Sequence, residues 1–217
     1  MYAWRKMSDA ERESVIKSRR QLKRPWHHPP HFIEGAETRF LLTAACYEHK
    51  SIVGQSVERL SAFETELCRT INDHCQELHA WCVLPNHYHL LVDTKTIAKL
   101  LHALGRLHGR TAYAWNQADA ARGRKVWYRV IERFMRSERH FWATMNYIHH
   151  NPVKHGYVKK WQDWPFGSAG QFIETFGREY AHRIWQEYPI KHFGKTWDPT
   201  VPNNADRLKP SLLRGPR

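Results

Sequence analysis

Hydrophobic and polar positions change period several times along the chain, and each change marks an element. Residues 39–47, Arg-Phe-Leu-Leu-Thr-Ala-Ala-Cys-Tyr, form an apolar run with the length of a buried strand. Past Gly54, the positions Val57, Leu60, Phe63, Leu67, Ile71, Cys75 and Leu78 recur at three-to-four spacing. That period predicts a helix, with Ser56 placed as its N-cap. Ala80 to Leu84 and His87 to Val92 then read as two strands joined by a Pro85-Asn86 turn. A second helical period follows through Ile97, Leu100, Leu101, Leu104, Leu107 and Trp115, with Lys99, Arg106 and Arg110 on its polar side. Val126 to Met135 predicts a last strand carrying Arg129 and Arg133 on one face. Ser137 then opens a helix that Pro152 must end, because proline lacks the amide hydrogen a helix needs. Asn151, which precedes that proline, is expected at the last helical position or just beyond it.

The order strand, helix, strand, strand, helix, strand, helix defines an α+β domain. Its expected form is an antiparallel sheet of the ferredoxin-like or RRM-like kind, with helices on one face and Tyr147 on a C-terminal helix. The flanks differ from this body. Residues 1–31 read as a basic arm, with a short helix from Ser8 towards Leu22 and an extended Pro25-Trp-His-His-Pro-Pro-His31 linker. The main domain is expected over 32–170 and a C-terminal extension over 171–217, where periodicity weakens and 198–217 resembles a loose tail.

Charge narrows the function. The 34 Lys and Arg against 21 Asp and Glu leave a formal +13 and a pI near 9.8. Such an excess suits a polyanion, because each contacted phosphate releases condensed counterions. Ten Trp, nine Tyr and nine Phe accompany it, and aromatics interleaved with cations can stack the bases of a single strand, although most of them are expected in the core. No apolar run approaches a membrane span and no signal-peptide pattern opens the chain, so a cytoplasmic, nucleoid-associated protein is expected. Cys46, Cys68, Cys75 and Cys82 form no C-x-x-C and suggest neither a disulfide framework nor a zinc ribbon. Cys68 and Cys75 are expected on one helical face as buried small side chains.

Two short segments carry candidate chemistry. In His87-Tyr88-His89 the strand period sends both imidazoles to one face and the tyrosine to the other, so the pair can share a divalent ion. With 16 histidines in the chain, an H-x-H arises easily by chance, and His27, His28 and His31 or His149 and His150 form other clusters. In Tyr147-Ile-His-His-Asn151 a spacing of four places Tyr147 and Asn151 one helical turn apart on one face. A phenol can attack phosphorus and an amide oxygen can complete a metal site, while a core tyrosine and a helix cap account for the same spacing.

Taken together, the two segments carry a resemblance. Trp81-Cys-Val-Leu-Pro-Asn-His-Tyr-His-Leu-Leu-Val92 resembles the histidine–hydrophobic–histidine strand of the IS200-like transposases. Tyr147-Ile-His-His-Asn-Pro-Val-Lys-His-Gly-Tyr-Val158 resembles their single-tyrosine helix. Trp161-Gln-Asp-Trp-Pro-Phe-Gly-Ser168 and Arg136-Ser-Glu-Arg-His-Phe141 are similar to the flanking segments of the REP-associated subgroup. The likeness spans roughly residues 32–170, with the two motifs in the family's order.

What the resemblance implies is specific. His87, His89 and Asn151 would ligate Mg²⁺ or Mn²⁺, and Tyr147 would be the nucleophile that forms a 5′-phosphotyrosine link and frees a 3′ hydroxyl. Tyr88 fills the slot between the histidines, where tyrosine is unusual, and Tyr157 does not match the family position. Pro85 and Asn86 are expected to shape the turn and to take no catalytic part. The substrate would be single-stranded DNA with hairpin-forming palindromic repeats, bound by a monomer or a homodimer. Candidate DNA contacts are Arg19, Arg20, Lys23 and Arg24 in the arm, Arg122, Arg124 and Lys125 in the loop, then Arg129, Arg133 and Lys154. Two other readings stay open: a hairpin-binding regulator without chemistry, and a nuclease that activates water through acidic ligands such as Asp73 or Asp93.

Overall fold

The computed structural model describes residues 38–190 together with Ser8 and Ala10. The body of this range lies within the second of the chain's two units, residues 35–217. The arm positions Arg19, Arg20, Lys23 and Arg24, the linker and the tail at 198–217 fall outside the described residues.

Four strands form one sheet: β1 (Thr38–Ala45), β2 (Glu77–Leu84), β3 (His87–Thr94) and β4 (Ile131–Phe134). Their spatial order is β2-β3-β1-β4 and every pairing is antiparallel. Helix α1 (Val57–Asn72) links β1 to β2, and α2 (Ile97–Ala118) links β3 to β4. This is the split β-α-β arrangement that the element order predicts. Helix α3 (Glu138–Lys154) follows β4, then α4 (Ala169–Phe176) and α5 (Arg178–Glu187).

Both predicted N-caps are in place. Ser56 Oγ accepts from the Arg59 amide at 3.1 Å, and Ser137 Oγ accepts from the His140 amide at 3.1 Å. The helix ends differ from expectation. Helix α1 stops at Asn72, so Cys75 and Leu78 of the helical register lie beyond it, Leu78 as the second residue of β2. Cys68 and Cys75 are accordingly half-buried and do not share a helical face, and all four cysteines are free.

Pro152 does not end α3. It sits in the last turn, where one missing amide bond is tolerated, and Asn151 is fully helical. The terminator is Gly156, whose φ of +71° is a left-handed conformation open to glycine at little cost. Its amide donates to Val153 O at 2.9 Å and the Tyr157 amide donates to Pro152 O at 2.9 Å, the paired bonds of a Schellman stop.

The predicted strand 126–135 shortens to β4. Residues 126–130 reach the sheet only locally, through a Cys46–Trp127 bridge and a 2.9 Å bond from the Tyr128 amide to Ala45 O. Downstream, α4 begins at Ala169, across the boundary expected at 170, and α4 and α5 give the weakly periodic segment helical structure. Asn146 of α3 ties α5 down by donating to Ile184 O at 3.1 Å and Tyr188 O at 2.8 Å.

Alternation along β3 separates two packing layers. Tyr88 enters the α1–α2 side, with ring centroids 5.8 Å from Phe63 and 6.0 Å from Trp127. Helices on one face describe α1 and α2; α3, which carries Tyr147, takes the opposite face against His87 and His89. No helix among the described residues is long and apolar enough to cross a membrane.

Candidate active site

The site grows from the start of β3. A tight approach fixes the turn before it: a Cβ on Gly54 would collide with Pro85, and the Gly54 amide donates to Pro85 O at 2.9 Å. Asn86 is thereby held next to His87. Its amide nitrogen donates to His49 O at 3.1 Å, which turns its side-chain oxygen to His87 Nδ1 at 2.7 Å. An amide oxygen only accepts, so His87 carries its proton on Nδ1 and offers a lone pair on Nε2. On the neighbouring strand Thr43 Oγ1 lies 2.8 Å from His89 Nδ1, which sets the same tautomer when the hydroxyl accepts. Thr43 and His89 are paired across β1 and β3, so the contact follows from register.

Helix α3 brings the rest. His87 Nε2 meets Asn151 Oδ1 at 3.1 Å, and Tyr147 Oη lies 3.4 Å from His89 Nε2. Two acceptors at the first distance repel unless a cation or a proton lies between them. Two imidazole lone pairs and an amide oxygen thus converge as a donor set, and they fit a divalent cation. The four side chains are deeply buried, Tyr147 at 1% exposure and Asn151 at 0%. Lys154 Nζ stands 5.0 Å over the Tyr147 ring, and the His155 ring centroid is 4.9 Å from that of His87. The structure therefore brings together His87, His89, Tyr147, Asn151 and Lys154.

A second group with metal-ligand chemistry lies at the far end of the same strand. Glu77, His79 and Asp93 place one ligand atom each within 4.8 Å of one another. His79 stands between the two carboxylates at 3.2 Å from each, and Arg39 Nε reaches Asp93 at 3.3 Å. Arg39 already places a cation against Asp93, so this group reads as an ion-pair cluster. Asp93 is six residues along β3 from His87, about 20 Å at a strand's rise, too far to serve the tyrosine.

The basic candidates divide. Arg122, Lys125, Arg129, Arg133 and Lys154 are exposed. Arg133 pairs with Leu41 on β1, which places it on the sheet face that holds Thr43 and His89. Lys125 Nζ lies over the rings of Tyr47 and Tyr128 at 4.8 and 5.7 Å. Arg124 is occupied within the fold, donating to Asp119 Oδ2 at 2.6 Å and Asn116 Oδ1 at 2.9 Å. Hydrogen bonds from Arg59 and Arg124 hold the Asp119 carboxyl down to about 2, so this loop is closed by charge.

Sequence reasoning did not assign Thr43 or Asn86 a part in orienting the histidines. Asn86 had a signal, being adjacent to His87 in a turn residue that could reach back. Thr43 lies 46 residues from His89 in sequence and becomes visible only through strand register.

With paired histidines on a central strand facing a tyrosine helix, the class is that of a transposase-type domain, and the comparisons with known proteins agree. Residues 39–151 match the family described as Transposase IS200 like, a span that contains His87, His89, Tyr147 and Asn151. The chain belongs to the IS200-like transposase family. A REP-associated tyrosine transposase of Escherichia coli (strain K12) is 34% identical over 124 residues, which are 56% of this chain and 66% of that protein. A putative REP-associated tyrosine transposase of Haemophilus influenzae is 29% identical over 126 residues, 54% of this chain and 72% of that one. A solved REP-associated tyrosine transposase bound to a REP hairpin superposes with a TM-score of 0.52 at 21% identity, covering 85% of this chain and 98% of that one. That likeness speaks for the fold.

Proposed function

We propose that this protein nicks and rejoins single-stranded DNA through Tyr147, with His87, His89 and Asn151 holding Mg²⁺ or Mn²⁺. The observation that carries the reading is the 3.1 Å approach of His87 Nε2 to Asn151 Oδ1 beside a phenol 3.4 Å from His89 Nε2. When bound, the ion polarises the scissile phosphate and stabilises charge on its oxygens. A neutral donor set holds a hard cation loosely, so affinity should rise when DNA supplies phosphate oxygen. Lys154 places a positive charge over the phenol ring and favours the phenolate. Tyr147 Oη gains a bond to phosphorus, the bond from phosphorus to the 3′ oxygen breaks, and the 3′ oxygen ends with the proton the phenol gave up. The phosphodiester's energy stays in the tyrosine ester, so the reverse attack needs no ATP.

The solved relative is bound to a REP hairpin, and by that likeness the substrate is a hairpin-forming palindromic repeat. Exposed Arg122, Lys125, Arg129 and Arg133, with Arg19, Arg20, Lys23 and Arg24 of the arm, supply phosphate contacts. Such a partner places the protein at the nucleoid.

A covalent-adduct gel tests this. Protein, Mn²⁺ and labelled hairpin oligonucleotides are mixed and denatured in detergent. The expected result is a labelled protein band that disappears with EDTA and in Tyr147→Phe. Cleavage that persists in Tyr147→Phe without an adduct supports a water-activating nuclease instead. Tight binding with no cleavage across metals and repeats supports a hairpin-binding regulator.

A further inference from the structure

Helix α3 carries one more side chain on the face that bears Tyr147 and Asn151. Because Gly156 and not Pro152 stops the helix, the backbone stays helical through His155, with φ −88° and ψ 0°. The His155 amide donates to Asn151 O at 3.1 Å, the bond of an unbroken turn. Tyr147, Asn151 and His155 therefore follow one another at a spacing of four along a single stripe. The first two positions of that stripe meet His89 and His87.

The third position meets His87 as well. The ring centroids of His155 and His87 are 4.9 Å apart, with 67° between the planes. His87 and His89, the pair that strand alternation aims at one ion, stand at 5.0 Å and 79°. Two imidazoles bound to one ion at about 2.1 Å and near a right angle put their centroids roughly 4.5–5 Å apart. His155 thus stands to His87 as His89 does, reaching it from the helix where His89 reaches it from the strand. The far side of the His155 ring is bounded by Tyr157 at 6.4 Å, whose own ring lies 5.4 Å from Trp164. A half-buried imidazole held between His87 and Tyr157 is restricted in rotamer, as a preorganised ligand should be.

We propose that His155 is a fourth protein donor to the ion and that it sets the site's choice of metal. Three imidazoles and one amide leave two positions of an octahedron for phosphate oxygens. The added nitrogen favours Mn²⁺ or Co²⁺ over Mg²⁺, which prefers oxygen and gives up water reluctantly. The inference rests on the reading that His87, His89 and Asn151 hold a divalent ion.

The test reads the ion and not the cleavage. Mn²⁺ is added to an excess of the full chain, and electron spin echo envelope modulation counts the imidazole nitrogens bound to it. Three are expected in the parent protein and two in His155→Ala. Calorimetry should show Mn²⁺ affinity falling by about 10-fold or more in that variant, since even a group behind a ligand is worth that much. Mg²⁺ affinity should change far less, so the preference for Mn²⁺ falls by nearly the same factor. A residue that merely packs would move neither the nitrogen count nor the preference. An unchanged melting temperature of the metal-free variant shows that it folds; if it does not fold, the nitrogen count of the parent protein decides alone. Two nitrogens in the parent overturn the proposal, as does a count of three that survives His155→Ala. The reading beneath it fails differently: the parent then shows no bound imidazole nitrogen, and His87→Ala leaves Mn²⁺ affinity untouched.

Discussion

The two sides of strand β3 carry similar residue types and do opposite things with them. On the α1–α2 side Tyr88 is sealed among Phe63, Trp127 and His108, and its hydroxyl donates to His108 Nε2 at 3.0 Å. His108 in turn stacks on Trp127 at 4.4 Å, whose Nε1 donates to Thr111 Oγ1 at 3.0 Å. Each polar group there finds a partner inside the fold. On the α3 side, one residue away in either direction, His87 and His89 turn Nδ1 to Asn86 and Thr43 and converge their Nε2 atoms on Asn151 and Tyr147. Aromatic and imidazole groups build stability where their polar atoms are satisfied. They build chemistry where acceptors are left facing one another. The pleat is what keeps the two roles apart.

The largest effect is expected from breaking the sealed side. Phe63 is 2% exposed and touches Tyr88, Trp115 and Trp127 at 5.8, 5.6 and 5.1 Å between centroids. Phe63→Ala should destabilise the protein by about 3–5 kcal/mol, read from urea denaturation. A loss under roughly 1 kcal/mol would mean the aromatic cluster is not a close-packed core.

The next effect tests the open side. Asn86→Ala removes the acceptor that fixes the His87 tautomer while keeping the backbone carbonyl that receives the Cys46 amide at 2.7 Å. Mn²⁺ affinity, followed by calorimetry, should fall by about 10–100-fold, the usual cost of losing a group behind a metal ligand. Thr43→Val should act similarly through His89. Unchanged affinity in both would deny the histidines a role as ligands.

The legible and illegible parts divide along the same line. Ser56, Ser137 and the alternation of His87-Tyr88-His89 are local signals, and the structure honours them because each depends on neighbours within a turn or a strand. Tyr147 and Asn151 share a face because a helix fixes that spacing. The end of α3 departs from its sequence signal, because Pro152 loses only one bond in a final turn and Gly156, whose left-handed backbone stops the helix, lies four residues further on. Arg124 reads as a phosphate contact in sequence because nothing local shows Asp119 and Asn116 folding back on it. Thr43 reaches the site through register, which no window of sequence contains.

The smallest effect comes from titrating the sealed side. Burial pushes the His108 pKa down to about 4, consistent with a neutral ring that accepts from the Tyr88 hydroxyl. An unfolded histidine titrates near 6.5. Above that value both states are neutral and the packing contribution is fully present. As pH falls from about 6.5 towards 4 the unfolded chain takes up a proton that the folded chain refuses, so stability drops, by up to about 1.4 kcal/mol per pH unit for each such group. His149, pushed down to about 3 chiefly by burial, adds to the slope in the same direction. Thermal unfolding between pH 7 and 5 should therefore show a falling Tm, and His108→Gln should flatten that fall by close to one proton's worth while lowering stability at pH 7. An unaltered slope in His108→Gln would mean that His108 takes up its proton as readily folded as unfolded, and the sealed side of β3 would not be sealed.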